Sequence, residues 1–276
     1  MALSILNNIP SMVAENQLSI TQSNLQSTLY QLASGSRINS GADDAAGLAI
    51  ADGLQANITA LTQSEANAND GVGQLQVADG ALSQVTSLLN RAVTLATESA
   101  TGTVSDAQRS ALDTEFSSIK AELDNIGQNT MFNGTSVFSG GTTSIFMSDG
   151  STSSSITVTM DILGQGSIGA NAVSLQNDDL MTAADAASAL SDITNAIASV
   201  AQERGDIGAS INRLTAASAV MTNQVQNLTS AESGIQDADI ATTVANLSKY
   251  NILEQTGMAA LAQANSAQQN VLTLLK

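Results

Sequence analysis

Hydrophobic residues repeat with a seven-residue period through the second half of the chain. Ten of the 12 positions in this repeat are apolar, well above the 43% apolar content of the whole chain. Alternating steps of three and four residues place a narrow apolar stripe on one helix face, which predicts lengthwise packing against a partner helix. The helix would be roughly 58 Å long at the usual rise per residue. The positions are Leu190, Ile193, Ile197, Val200, Arg204, Ile207, Ile211, Leu214, Ser218, Met221, Val225 and Leu228.

Two polar residues, Arg204 and Ser218, interrupt this repeat. A single polar residue in a helix seam can set the register of the packed helices. Alternatively, Arg204 can extend its charged end into solvent or pair with an acidic residue across the seam. The sequence leaves these interpretations open.

Apolar spacing predicts two helices in the first third of the chain. The first covers residues 3–32 and has an uncharged polar face, so it needs a partner helix to be stable. The second runs from about Ala45 to Ala100. Three glycines within it are interpreted as close-packing positions, because a missing side chain lets a neighbour approach. These are Gly71, Gly73 and Gly80.

Capping signals define the other helices. Ser105 and Gln108 form a capping box before a helix that is expected to end near Gly127. Thr182 and Asp185 form a second box at the start of the long repeat. A last helix begins near Asp239, and Gly234 is predicted to mark the joint before it.

The region 130–177 has a different texture, rich in Ser, Thr and Gly. Ile156, Val158, Met160 and Ile162 alternate with polar residues, which predicts a strand in a small hairpin. The expected fold is therefore mainly α, with long antiparallel helical rods in coiled-coil packing, a small β-hairpin insert, and the two termini paired at one tip. The predicted domains are a terminal one, made of 1–42 and 237–276, and a core domain, 43–236.

Composition excludes several kinds of site. The chain has no cysteine and no histidine, which removes disulfides, thiolate nucleophiles, His-containing zinc sites and Ser-His-Asp triads. The aspartates at 43 and 44 precede a helix. The free N–H groups at the start of a helix stabilise carboxylates, so capping is preferred to metal binding or catalysis as the role of this pair. No catalytic residue, metal or cofactor is predicted.

Charge and hydropathy limit the partners. The net charge is -17, and no basic patch is visible, so nucleic acid is not an expected partner. No apolar run is long enough to span a membrane. The first ten residues lack the basic residue and the hydrophobic length of a cleaved secretory signal.

Several motifs resemble those of bacterial flagellins. The segment from Arg37 to Ala51 is similar to the N-terminal signature of that family, and so are Asn69-Asp70-Gly71 and the segment Asn129 to Gly134. At the other end, Leu261 to Asn265 and Gln269 to Lys276 resemble the flagellin C-terminus. The resemblance covers roughly 1–138 and 180–276, and the motifs lie at both ends in the family's order.

The resemblance implies a homopolymeric subunit of the extracellular flagellar filament, which serves swimming motility. It implies export without a cleaved signal, through the flagellar type III apparatus, with an export chaperone and with cap and hook-junction proteins as partners. The terminal helices would fold on assembly. The implied assembly residues are Leu18, Leu25, Leu32, Arg37, Ile38, Asn39, Asp43, Asp44, Leu247, Leu253, Leu261, Leu272 and Leu275.

Three other functions are weighed against this one. A hook–filament junction protein is a structural relative, but such proteins commonly have a proline after the aspartate pair, where this chain has Ala45. A secreted coiled-coil stalk would bring a signal peptide or an anchor. An enzyme would need a larger insert than the short region 130–177.

The family resemblance also implies a site for an animal innate-immune receptor, at Arg91, Leu95 and Glu115. Where the family usually has a second arginine, this chain has Val93. The alternative is an exposed arginine and a core leucine on an axial packing surface.

O-linked sugar on the Ser/Thr-rich insert is a further expectation, at Thr142, Thr143, Ser144 and Ser153. A plain surface loop is the alternative, and it is favoured because such segments are common between structural elements.

Overall fold

The computed structural model describes residues 8–150 and 152–274, with side chains as far as Gln269. Five helices dominate these residues, and the four strands form two separate antiparallel pairs, β1 with β2 and β3 with β4. The mainly α architecture with a small hairpin insert is confirmed. The elements are α1 (Ile9–Ser34), α2 (Ala45–Ser99), α3 (Asp106–Asn129), β1 (Met131–Phe132), β2 (Thr135–Ser136), β3 (Gly141–Ser148), β4 (Ser153–Met160), α4 (Ala183–Gln236) and α5 (Ile240–Leu274).

The chain divides into two compact units. The terminal unit comprises the described residues within 1–56 and 227–276, and the central unit comprises those within 57–226. The predicted domain boundaries, 42/43 and 236/237, fall at the breaks between helices, whereas the two units divide inside α2 and α4. The domain boundaries stay a prediction.

In the terminal unit α1 and α5 pack antiparallel. Asn8 at the start of α1 donates from Nδ2 to the carbonyl of Ala264, at 3.3 Å. Farther along, Gln22 Nε2 lies 3.4 Å from Glu254 Oε1. Asn8 also caps α1, because its side chain accepts the N–H of Ser11 at 3.1 Å. The described ends of the chain are thus paired along their length.

Every seventh residue of the α4 repeat is buried in the central unit: Ile193, Val200, Ile207, Leu214 and Met221. Helix α2 has a matching buried series, Leu61, Ala68, Leu75, Leu82 and Leu89. The alternate members of the α4 repeat are only half-buried. The same holds for the alternate members of the seam predicted for α2, which are Ile58, Glu65, Val72, Asp79, Thr86 and Val93. A second buried series on α2 has small side chains instead, at Ser64, Gly71, Ala78, Val85, Ala92 and Ser99.

The small residues admit close neighbours from the insert. A Cβ added to Gly71 would lie 2.3 Å from Ile145 Cδ1 of β3. Ser64 Oγ donates to the carbonyl of Ser148 at 2.9 Å and accepts its N–H at 2.8 Å, which fastens β3 to α2. Gly80 has nothing within 4 Å of such a Cβ, so the prediction that it is a packing glycine was wrong.

The hairpin β3–β4 pairs Ile145 with Ile156 and Met147 with Ser154. Ile156, Val158 and Met160 are buried as predicted. Ile162 lies beyond the end of β4 and is 54% exposed, so its inclusion in the strand was wrong: the ladder ends at Met160.

The connection from β4 to α4 is anchored to α4 by two buried polar side chains. Ser199 Oγ donates to the carbonyl of Ile168 at 2.9 Å and accepts the N–H of Asn171 at 2.8 Å. Glu203 is only 3% exposed, and its carboxyl accepts the N–H of Asp161 at 3.2 Å. Burial raises the pKa of Glu203 to about 7, and the nearby carboxylates of Asp161 and Asp206 add to the rise.

The capping box at Ser105 is present, whereas at Thr182 the carboxylate of Asp185 accepts the threonine hydroxyl in place of a backbone N–H. Gln108 Oε1 accepts the N–H of Ser105 at 2.9 Å, and Thr182 Oγ1 accepts the N–H of Asp185 at 3.1 Å. Helix α3 continues to Asn129, two residues past the predicted end. Helix α4 also runs through Gly234 to Gln236, so the joint predicted at Gly234 was wrong. Gly234 lies within the last turn of the helix, and the break between α4 and α5 is at 237–239 instead.

Candidate assembly surface

The paired helices of the terminal unit leave many large apolar side chains in solvent. Tyr30 is 71% exposed, and Ile252 on α5 is 61% exposed. An uncovered apolar surface of this extent marks a place where another protein binds. We name it the exposed apolar set; its members are Ile9, Met12, Val13, Ile20, Leu29 and Tyr30 on α1, Ile50 on α2, and Ile240, Val244, Ile252, Leu253 and Met258 on α5.

The most buried positions of the two helices are threonines, not leucines. Thr21, Thr28 and Thr243 are 4–6% exposed. Each hydroxyl donates to the carbonyl of the residue four positions earlier at 2.8 Å, so none of these hydrogen bonds joins α1 to α5. No large apolar side chain that the structure describes on these two helices is fully buried, and apolar burial is the main source of helix-packing energy.

The predicted assembly leucines are only partly available to a neighbour. Five of them are half-buried in the described subunit: Leu18, Leu25, Leu32, Leu247 and Leu261. Leu253 is 41% exposed and belongs to the exposed apolar set. Leu275 and the side chain of Leu272 lie outside the described residues.

Arg37 joins the ends of two helices within the terminal unit. Its Nε donates to the carbonyl of Ile235 at 3.2 Å, and its backbone N–H donates to Gln236 at 2.6 Å. A guanidinium suits this position because the last carbonyls of α4 have no partner within the helix. Ile38 beside it is 3% exposed. The sequence-predicted assembly residues Arg37 and Ile38 thus fix the fold of the subunit itself.

The aspartate pair closes the turn before α2. Asp43 Oδ2 accepts the N–H groups of Asn39 and Ser40 at 3.1 and 2.9 Å. These hydrogen bonds favour the charged form, so the pKa of Asp43 lies below its usual value. Asp44 Oδ1 accepts the N–H of Gly47 at 2.9 Å. Asp44 is a helix cap, as expected, and Asp43 holds the preceding loop.

The proposed receptor residues do not share one surface. Arg91 and Glu115 form a two-bond ion pair between α2 and α3, at 2.7 and 3.0 Å, and both side chains are about half exposed. The pair lowers the pKa of Glu115 and raises that of Arg91. Leu95 is fully buried. Receptor binding stays a prediction, and two of its three residues face solvent.

The predicted sugar acceptors lie on the hairpin β3–β4. Thr142, Ser144 and Ser153 are exposed, and Thr143 is half-buried. Their hydroxyls are therefore accessible for the most part, and O-glycosylation stays a prediction.

Most of the exposed apolar set was not predicted from the sequence. The prediction gave each helix one apolar seam, whereas residues such as Ile20, Leu29 and Ile252 fall outside the seam between α1 and α5. A signal was present: apolar residues on more than one side of a helix with few charges indicate burial on several sides.

The described residues contain no group of three acidic, histidine or cysteine side chains that could hold a metal ion. No helix among them is long and apolar enough to cross a membrane.

Comparisons with known proteins cover nearly the whole chain. Residues 5–143 match the bacterial flagellin N-terminal helical region, and residues 190–275 match the bacterial flagellin C-terminal helical region. A crystal structure of Bacillus cereus flagellin covers 60% of this chain and 94% of that chain, with 28% identity and a TM-score of 0.48.

Curated relatives are similar over their full length. Flagellin of Halalkalibacterium halodurans is 34% identical over 272 residues, and flagellin of Bacillus subtilis is 33% identical over 302; each match covers 99% of both chains. The flagellar filament 30.7 kDa core protein of Treponema maltophilum is 33% identical, covering 98% of this chain and 99% of the relative. These names do not favour the hook-junction alternative. The chain therefore belongs to the bacterial flagellin family and is a structural subunit of the flagellar filament.

Proposed function

We propose that the terminal helices of this filament subunit reach their stable packing only when neighbouring copies cover the exposed apolar set. The observation that carries the proposal is the contrast between the two sides of α1 and α5. Threonines fill the most buried positions, while Tyr30, Ile252 and nine other large apolar residues of these two helices face solvent. Ordering these helices costs conformational entropy, and the burial that offsets it comes from other subunits.

Methionine oxidation tests where the subunits meet. Met12 and Met258 of the exposed apolar set are 64% and 50% exposed. We expect peroxide to oxidise both in the monomer and to spare both in the filament, as measured by mass spectrometry of digested samples. Met160, which is 2% exposed, is the control that stays reduced in both states. Equal oxidation of Met12 and Met258 in monomer and filament would contradict the proposal.

Removing α5 tests the same proposal on the polymer. A chain lacking residues 240–276 is expected to remain soluble and helical but to form no filaments in ammonium sulfate, even with filament seeds. Electron microscopy reads the result. Filaments of normal length from the truncated chain would show that α5 is dispensable for assembly.

We also propose that the subunit travels unfolded through the flagellar type III apparatus to the extracellular filament. An export chaperone, the cap and the hook-junction proteins are its partners. The absence of cysteine from the chain and the weakly held pair α1–α5 support this route. The test is export from flagellated cells: subunits whose α1–α5 pair is stabilised should reach the medium more slowly than the unmodified chain.

A further inference from the structure

Among the residues that the structure describes, Arg213 is a cation without a partner in an acidic protein. The chain has eight basic and 25 acidic residues. The other cations of the central unit are engaged: Arg91 with Glu115, Arg204 with Asp79, Arg109 with backbone carbonyls, and Lys120 with the carbonyl of Asp178. Arg213 is exposed on α4 and makes no hydrogen bond or ion pair with any residue in the described ranges.

A cleft of about 310 Å³ in the central unit has the complementary chemistry. It lies where α2 meets the two hairpins, and its lining includes Asp70, Gln74, Phe132 and Phe146. The Phe146 side chain is 55% exposed. Asp70 likewise has no hydrogen-bond or ion-pair partner among the side chains that the structure describes.

An aromatic ring beside a carboxylate is suited to a guanidinium group. Arginine stacks its planar face on an aromatic ring and donates its N–H groups to a carboxylate at the same time. Lysine, a compact and strongly hydrated charge, satisfies the pair less well. The side chain of Gln74 supplies a further acceptor in the same cleft.

We propose that Arg213 of one subunit binds in the Asp70–Phe146 cleft of a neighbouring subunit. Arg213 does not line the cleft, so each subunit can give its Arg213 to the next subunit and its cleft to the previous one. Such a contact is head-to-tail and repeats without closing, as a filament requires. The inference rests on the polymer described above and names one of its contacts. It also gives the acidic subunits an attractive ion pair at their interface.

The competing arrangement is an ion pair between Arg213 and Asp70 of the same subunit. A Cβ on Gly71 would lie 3.4 Å from Leu214 Cδ1, so the residue after Asp70 and the residue after Arg213 meet between α2 and α4. The structure nevertheless forms no ion pair between Asp70 and Arg213. The experiment therefore measures the monomer and the polymer separately.

The test uses the full chain with exchanged charges. Arg213→Asp and Asp70→Arg are each expected to raise the critical concentration for seeded growth about tenfold, because each leaves two like charges facing across the contact. The double exchange, Arg213→Asp with Asp70→Arg, should restore most of the loss. The control combines Arg213→Asp with Glu122→Arg, which changes an exposed acidic residue on α3. This control has the same net charge as the double exchange, but it should not restore growth.

Four outcomes would overturn the contact. In the first, the single variants grow like the unmodified chain; in the second, the Glu122→Arg control rescues growth as well as the double exchange does. In the third, the double exchange rescues nothing. In the fourth, the single variants lower the melting temperature of the monomer and the double exchange restores it. The last would place the ion pair inside one subunit. An unmodified chain that forms no filaments would overturn the polymer itself as well as this contact, so the two failures are distinguishable.

Discussion

The Nε atom of Arg204 on α4 lies 2.7 Å from Oδ1 of Asp79 on α2. Each residue interrupts the hydrophobic repeat of its own helix, and the two interruptions meet. The hydrogen bond to Asp79 raises the pKa of Arg204. The pairing of Arg204 with an acidic residue across the seam is confirmed. We expect the pair also to favour the register in which the two polar positions face one another.

The energy of this pair should be small even though its geometry is good. Both side chains are about 40% exposed, so water screens their attraction, and we expect a coupling of about 1 kcal/mol or less. A double-mutant cycle with Arg204→Ala and Asp79→Ala, read by urea unfolding of the monomer, measures it. The exposed pair Arg91–Glu115 provides a matched cycle of similar size. A coupling free energy several times larger would mean that water does not screen the attraction between the two side chains.

Replacing both residues by leucine would complete the two hydrophobic repeats. We expect this variant to unfold at the same or a higher urea concentration than the unmodified chain, because an apolar pair of similar size avoids desolvating charges. A double leucine variant less stable than either alanine variant would show that the ion pair stabilises the chain more than an apolar pair does at these positions.

The buried carboxyl of Glu203 should make the central unit less stable as the pH rises. Its pKa is about 7 in the folded chain and 4.5 in the unfolded reference. The folded state therefore holds the proton more tightly, so the contribution is fully present below about pH 4.5 and is lost as the pH rises through 7. The loss is of the order of 3 kcal/mol. Denaturant unfolding at several pH values measures it.

Glu203→Gln is the matched variant, since its amide oxygen can still accept the N–H of Asp161. We expect its stability to change little between pH 5 and 8. Asp43, Asp239 and Glu115 have lowered pKa values, so their contributions are lost at the acid end, as the pH falls below about 4. An unchanged slope between pH 5 and 8 in Glu203→Gln would assign the pH dependence to another group.

Two helical glycines should respond to alanine in opposite directions. Gly80 faces open space, so Gly80→Ala should stabilise α2 by about 0.5–1 kcal/mol through helix propensity. Gly127 is buried, and a Cβ there would overlap the backbone oxygen of Leu163, 1.8 Å away. Gly127→Ala should destabilise the chain by roughly 2 kcal/mol or more. Thermal unfolding of the two variants side by side measures the difference, and a Gly127→Ala variant as stable as Gly80→Ala would contradict the prediction.

The register of α1 against α5 can be locked with a disulfide. A Cβ on Gly257 would lie 3.9 Å from the Cβ of Leu18, which is within the range that a disulfide spans. We expect Leu18→Cys with Gly257→Cys to cross-link within each subunit of the assembled filament on mild oxidation, as shown by mass spectrometry. Leu25→Cys with Gly257→Cys, two helical turns away, is the control that should remain reduced. Equal cross-linking of both would mean that the helices slide past each other.

The long helices and their approximate ends could be predicted from the sequence, because heptad spacing and capping boxes are local signals. The second buried series on α2, which includes Ser64, Gly71 and Ala78, could not. Small residues have little hydrophobic contrast, and their burial depends on the insert that packs on them. The break after α4 was misplaced at Gly234, because an isolated glycine weakens a helix without ending it.

For the candidate site, the sequence identified the terminal helices but not the side that faces other subunits. Leu18, Leu25 and Leu32 have the expected spacing, yet they are half-buried in the described subunit. The exposed apolar set became visible only after the pairing of α1 with α5 was known. Likewise, the burial of Leu95 depends on the elements that pack against α2, and no motif at 89–95 encodes them.

The threonines at the most buried positions of α1 and α5 have a kinetic consequence. When two free monomers meet, the α1–α5 pair of each is held together weakly. At a growing filament end, the exposed subunits have already been ordered by the subunits next to them. We therefore expect a long lag before unseeded subunits form filaments, and rapid elongation once ends exist. Thr21, Thr28 and Thr243 would in this way confine growth to existing tips and keep a concentrated pool of subunits from polymerising in the wrong place.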